Sequence, residues 1–148
     1  MIIVVVEDSN VCAKLIIHTI QVLLTHNTHH CIKWFKTPDE ALRYFNKDSL
    51  CAKRHGSNIG LVFMDMNLTV DVDDHRNGRF IINYIRKILC RKYPIVIYSG
   101  TCDKEVLVCM TKYKDMEYIK KPVDMFKLMK LFKENRATWL LEKGCWKV

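Results

Sequence analysis

At 148 residues, 49% of them apolar, the chain has the size and composition of one globular domain with its own core. No apolar run reaches the roughly 18 residues that a membrane-crossing helix needs, and the start, Met1-Ile-Ile-Val-Val-Val-Glu-Asp, lacks the basic lead-in and cleavage site of a secretion signal. A net charge of +8 suits an anionic partner, but the excess is spread over helices and gathers only mildly at Lys120, Lys121, Lys127, Lys130, Lys133 and Arg136. Without aromatic interleaving or a groove-reading motif, those residues are expected to form a solvated face, not a nucleic-acid interface. The seven cysteines (Cys12, Cys31, Cys51, Cys90, Cys102, Cys109, Cys145) hold no C-x-x-C pair and no zinc spacing. Free, mostly buried thiols in a cytoplasmic protein, or a nuclear one if the source is eukaryotic, are the expectation.

In chain order, residues 2–6 form a β-branched run that reads as a buried parallel strand ending at Glu7-Asp8-Ser9. Asp8 or Ser9 can cap a helix over residues 10–24, with Val11, Leu15, Ile16, Ile20, Leu23 and Leu24 at helical spacing. Residues 31–35 are a second strand, and Thr37-Pro38-Asp39-Glu40 starts a second helix that carries Ala41, Leu42 and Phe45 inward. The polar stretch 47–58 reads as including a long loop.

Residues 59–64 form a third buried strand that runs into Asp65. After a polar loop to Gly78, a helix is predicted over 79–90 with Phe80, Ile81, Tyr84, Ile85 and Ile88 on its apolar side. A fourth strand spans 94–98 and closes on Ser99-Gly100-Thr101, a weaker helix covers 104–113, and a short fifth strand covers 116–120. Lys121-Pro122 follows, and then a last helix from about residue 123 towards 141, with Phe126, Leu128, Met129, Leu131 and Phe132 as candidate core. Five strands alternating with five helices specify an α/β domain, a parallel sheet with helices on both faces. One domain over 1–148 is expected, with a core of about 2–133 and a short helical extension over 134–148.

Ligand sites of open α/β sheets lie at the carboxyl ends of the strands. Here those ends carry Glu7 and Asp8, Asp65, Ser99 and Lys121. Three carboxylates packed together repel unless a cation sits among them, and a few carboxylates with water suit Mg²⁺. A hydroxyl and an ammonium complement phosphoryl oxygens. The set therefore fits a phosphoryl group carried on a carboxylate, with catalysis by positioning and charge neutralisation.

With those residues in place, the sequence resembles the response-regulator receiver family of two-component and phosphorelay signalling, from residue 2 to about 132. The marks are the acidic pair Glu7-Asp8, Asp65 after the third strand, Ser99 after the fourth, Lys121-Pro122 after the fifth, and the aromatic Tyr118 three residues before the lysine. The separation of Ser99 and Lys121 matches that in the bacterial chemotaxis receiver. The resemblance implies a flavodoxin-like receiver fold with strand order 2-1-3-4-5 and Asp65 as phosphoacceptor. It implies Mg²⁺ (or Mn²⁺) held by Asp8, Asp65 and the main-chain carbonyl of Asn67, with Glu7 acting largely through water. Lys121 and Ser99 would bind the phosphoryl group, and Ser99 and Tyr118 would switch the surface of the fourth helix, fifth strand and fifth helix.

The implied function is a stand-alone receiver that takes phosphoryl from a histidine kinase or histidine phosphotransfer protein and docks to a further protein. It would not be a conventional enzyme, since it catalyses only its own phosphorylation and dephosphorylation. The alternative is a pseudo-receiver that docks or sequesters signalling partners with little phosphorylation. A haloacid-dehalogenase-like phosphatase is disfavoured, because Asn67 stands where such enzymes place a second aspartate. Two departures from the family concern the loop after Asp65: Leu68-Thr69 replaces the usual Met-Pro, and the path to Gly78 is longer and carries Asp71, Asp73 and Asp74. This acidic excursion either modulates metal affinity or donor access, or is simply solvated.

Overall fold

The computed structural model describes residues 1–24, 30–68, 77–100, 102, 104–113, 115–122, 124 and 126–130, with backbone alone for 53–55. Five strands, β1 (Ile2–Val6), β2 (Cys31–Phe35), β3 (Ile59–Met64), β4 (Ile95–Ser99) and β5 (Met116–Lys120), form one parallel sheet in the order β2-β1-β3-β4-β5. The sequence explains the order. Strands β3 and β4 are buried along their whole length and β1 from Ile3 onward, as near-continuous apolar runs require when both faces are covered. The edge strands β2 and β5 carry Lys33, Glu117 and Lys120 outward.

Helix α1 (Asn10–Leu23) is capped by Ser9, whose hydroxyl accepts from the Cys12 N–H, and α2 (Pro38–His55) by Thr37, which accepts from the Glu40 N–H. Next come α3 (Gly78–Asn83), a π-helical turn (Tyr84–Ile88) and α4 (Lys104–Lys112), while residues 126–130 lie in the last helix. One core, with Phe45, Ile81, Ile85 and Val106, fills the face under α2, α3 and α4. The other, with Ile16, Ile20, Tyr98, Ile119 and Leu128, lies under α1 and the last helix. Among the described residues no helix is long and apolar enough to cross a membrane.

Several expectations need correction. The stretch 47–58 is mostly helix: α2 runs to His55 and stops at Gly56, where φ is +75°. Its polar residues find tertiary partners instead of a loop. Asp48 accepts from Ser57 Oγ (2.7 Å) and Tyr93 Oη (2.6 Å), and the Ser49 carbonyl accepts from Arg91 (2.8 Å). In the predicted 79–90 helix, the π turn inserts a residue, with the Leu89 N–H reaching the Tyr84 carbonyl (3.1 Å). That shift carries Ile88 out to solvent and turns Leu89 toward the core, and Phe80 is exposed as well. Val11 and Leu15 of α1 also face outward, since Ala13, Ile16, Thr19 and Ile20 form its buried stripe. Phe126 is 82% exposed, whereas Leu128 is buried.

The cysteines are free, but of those described only Cys109 is buried; Cys31, Cys51, Cys90 and Cys102 are exposed. Strand β4 begins at Ile95, because Pro94 has no N–H to give the ladder and only its carbonyl pairs, with Val62 N (2.9 Å). Cys145, Leu131, Phe132, the acidic excursion at Asp71, Asp73 and Asp74, and the 134–148 extension lie outside the described residues.

At the amino-terminal end of the sheet a polar network ties the loops together. The Arg86 guanidinium donates to the carbonyls of Arg91 (2.7 Å) and Tyr93 (2.7 Å) and pairs with Asp115 (2.9 Å). Arg86 Nε is the one buried nitrogen of this network with no partner among the described residues.

Candidate functional site

The opposite end of the sheet is set by main-chain bonds that fix where each strand stops. Asp65 N donates to the Val6 carbonyl (2.9 Å), Glu7 N to that of Phe35 (3.1 Å), and Lys121 N to that of Ser99 (2.9 Å). The residues just past β1, β3 and β5 are thereby held side by side. Ligand oxygens of Glu7, Asp8 and Asp65 all lie within 4.8 Å of one another, the arrangement expected from the strand ends.

Lys121 places a cation against two of these carboxylates. Its Nζ lies 2.6 Å from Glu7 Oε2 and 2.7 Å from Asp65 Oδ2. Glu7 and Asp65 are almost fully buried, so these are charge-assisted contacts in a poorly hydrated place. Burial pushes the Glu7 carboxyl up from its ordinary 4.5 to about 7; the Lys121 hydrogen bond opposes this and the Asp65 charge adds to it. Burial alone would lower the Lys121 ammonium, but hydrogen bonds and charges from Asp65 and Glu7 outweigh it and hold the group above its ordinary value. With all three carboxylates ionised, one ammonium leaves two negative charges in one pocket. That balance, with oxygen-only donors, fits a hard divalent ion.

Ser99 is wholly buried, and its hydroxyl has no hydrogen-bond partner among the described residues. A buried hydroxyl left this way is costly unless a ligand satisfies it. Tyr118 is half-buried and donates from Oη to the Ser99 main-chain carbonyl (3.3 Å). Asn67 is exposed beside Asp65, and its main-chain N–H donates to Asp65 Oδ1 (3.1 Å). Pro122 follows a cis peptide bond directly after Lys121.

Three residues of this end were not singled out for it by sequence reasoning. The Trp34 indole N–H donates to the Glu7 carbonyl (2.8 Å) and so fixes the acidic turn from β2. No sequence signal marks that contact, since it joins residues far apart in the chain. Gly78 packs so closely on Asp65 that a Cβ there would lie 2.0 Å from the Asp65 carbonyl oxygen. Tyr98 lies beneath Lys121, with Nζ 5.1 Å from the ring centroid. The only hint in the sequence is a tyrosine at an otherwise aliphatic position of a buried strand.

The arrangement can hold a divalent cation, present a carboxylate to an electrophile and receive an anion at Lys121 and Ser99. Solved structures of the same shape carry a common description. The response regulator Rcp1, in a Mn²⁺-bound form, is 19% identical and aligns over 94% of this chain and 94% of its own with a TM-score of 0.61. The receiver domain of the histidine kinase CKI1 from Arabidopsis thaliana, complexed with Mg²⁺ and BeF₃⁻, is 18% identical over 93% of this chain and 90% of its own, with a TM-score of 0.70. The fold is that of a response-regulator receiver domain. A CheY-like receiver domain protein from Methanospirillum hungatei JF-1 aligns equally fully, over 95% and 97%, at 19% identity and a TM-score of 0.65. No protein family and no curated protein matches the chain by sequence. The receiver fold is thus legible in the backbone and in a few strand-end residues.

Proposed function

We propose that this receiver accepts a phosphoryl group on Asp65 from a phosphohistidine donor, with Mg²⁺ (or Mn²⁺) as cofactor. The observation that carries the reading is the buried Asp65 carboxylate bonded to Lys121, with Glu7 and Asp8 within reach of one cation and the Ser99 hydroxyl without a partner among the described residues. An Asp65 oxygen attacks phosphorus, the phosphorus–nitrogen bond of the phosphohistidine breaks, and its electron pair stays on the imidazole. The product is an acyl phosphate on Asp65. Lys121, already 2.7 Å from Asp65 Oδ2, stays with the added phosphoryl oxygens, and Ser99 gives its hydroxyl to one of them. The cation would be held by Glu7, Asp8, Asp65 and the Asn67 main-chain carbonyl, and when bound it offsets negative charge on the transferring group.

Moving the Ser99 hydroxyl toward a phosphoryl group alters the place where Tyr118 is anchored, through the Ser99 carbonyl. Phosphorylation then biases the surface of α4, β5 and the last helix, where Leu107, Val108 and Phe126 are exposed. Val11 and Leu15 lie outward on the first turns of α1, next to Asp8, and offer the donor, a histidine kinase or histidine phosphotransfer protein, an apolar foothold. A cytoplasmic or nuclear setting goes with such donors.

Incubation with acetyl phosphate and Mg²⁺, followed by intact-mass measurement, tests the proposal. One phosphoryl group is expected on the wild-type chain and none on Asp65→Asn. If beryllofluoride with Mg²⁺ also leaves the amide spectrum unchanged, the chain is a docking module and the proposal fails.

A further inference from the structure

Resting on the reading of Asp65 as phosphoryl acceptor, we infer that Tyr98 is a positioning residue for Lys121, its ring face holding the ammonium at the site when the carboxylates no longer do. Successive residues of a strand point to opposite faces of the sheet. On β4, Ser99 therefore lies on one side and Tyr98 on the other, within the core under α1 and the last helix. The Tyr98 side chain is 1% exposed, so its ring is fixed by packing with Val96, Ile119 and Leu128. Lys121 turns back over that ring, with Nζ 5.1 Å from the centroid, while reaching Glu7 and Asp65.

The ring matters because the other two holds on Lys121 are conditional. Glu7 and Asp65 attract the ammonium only while their charge is not shared with a divalent cation or spent on an acyl phosphate. An aromatic quadrupole neither titrates nor binds Mg²⁺, so its attraction persists in every state of the site. A lysine without it has a long, flexible stem and a nearby exit to solvent. With it, the ammonium remains within bonding distance of the incoming phosphoryl oxygens.

The test compares wild type, Tyr98→Leu and Tyr98→Phe. In the wild type, NMR should show the Lys121 side-chain methylene protons shifted upfield by the ring; Tyr98→Leu should lose that shift and Tyr98→Phe should keep it. Phosphoryl uptake from acetyl phosphate should fall about fivefold in Tyr98→Leu and recover in Tyr98→Phe, while Mg²⁺ affinity holds or rises in both. A general loosening of the core would instead weaken uptake and Mg²⁺ binding together, and that result overturns the inference. So does unchanged uptake in Tyr98→Leu, or a Tyr98→Phe variant as impaired as Tyr98→Leu. Should Tyr98→Leu fail to fold, the wild-type spectrum decides, and an unshifted Lys121 ends the idea. A wild-type chain that takes up no phosphoryl removes the receiver reading itself and this inference with it; impairment confined to Tyr98→Leu cannot be mistaken for that failure.

Discussion

The two ends of the sheet both bury polar side chains, and they do so in opposite ways. At the amino-terminal end, Arg86, Asp115, Tyr93, Asp48, Arg91 and Ser49 bond to one another and tie loops together, with Arg86 Nε the one buried nitrogen left over among the described residues. At the carboxyl end, three carboxylates crowd around one ammonium, Glu7 is driven toward neutrality and the Ser99 hydroxyl has no partner among the described residues. A network of paired charges and hydrogen bonds, complete but for one nitrogen, supports the fold. An incomplete one of like charges costs stability and keeps a place for a ligand. The comparison shows that burial of polar groups says little about function until their partners are counted.

Perturbing each end sharpens the contrast. The largest effect is expected from Gly78→Ala, since its Cβ would meet the Asp65 carbonyl oxygen at 2.0 Å. Denaturant unfolding should show a loss of about 3 kcal/mol, and phosphoryl uptake at Asp65 should fall with it. Arg86→Met comes next. It strands the Arg91 and Tyr93 carbonyls, while Asp115, 42% exposed, keeps its water. The loss should be about 2 kcal/mol, with uptake at Asp65 unchanged; impaired uptake would show that the two ends are not independent. Tyr93→Phe removes one donor to Asp48, which keeps Ser57. A loss of about 1 kcal/mol is expected, again without change in uptake.

The gentlest effect is a slope. Glu7 has its folded pKa raised from 4.5 to about 7, so the folded protein holds a proton that the unfolded chain releases. This contribution is fully present below 4.5 and is lost as pH rises through about 7. The metal-free protein should therefore melt at a lower temperature at pH 8 than at pH 5.5 on this account. Mg²⁺, which needs the ionised carboxylates, should stabilise more strongly at the higher pH. Melting curves of wild type and Glu7→Gln, with and without Mg²⁺, check both statements; a slope of equal size in Glu7→Gln removes Glu7 as its source.

Much of this was written in the order of residue types. The bounds of β1, β2, β3 and β5 follow from short apolar runs closed by polar residues, whereas β4 starts one residue late because of Pro94 and runs on to include Ser99. Four strand ends placed Glu7, Asp8, Asp65, Ser99 and Lys121 at one edge, because a parallel sheet aligns its carboxyl ends. Elsewhere local pattern misled. The polar residues of α2 read as loop until Tyr93 and Arg91 are seen to receive them. The inserted residue of the π turn rotates Ile88 off a face that regular helical spacing assigns to the core.

The sequence by itself determined the alternation of strands and helices and which end of the sheet gathers Glu7, Asp8, Asp65, Ser99 and Lys121, because period, capping and strand termination are local properties. The tertiary structure alone decided that Lys121 pairs with Glu7 as well as Asp65, that Trp34 grips the acidic turn, and that Tyr98 lies under the ammonium. Those contacts join residues distant in the chain, and their strength comes from exclusion of water, which no order of letters specifies.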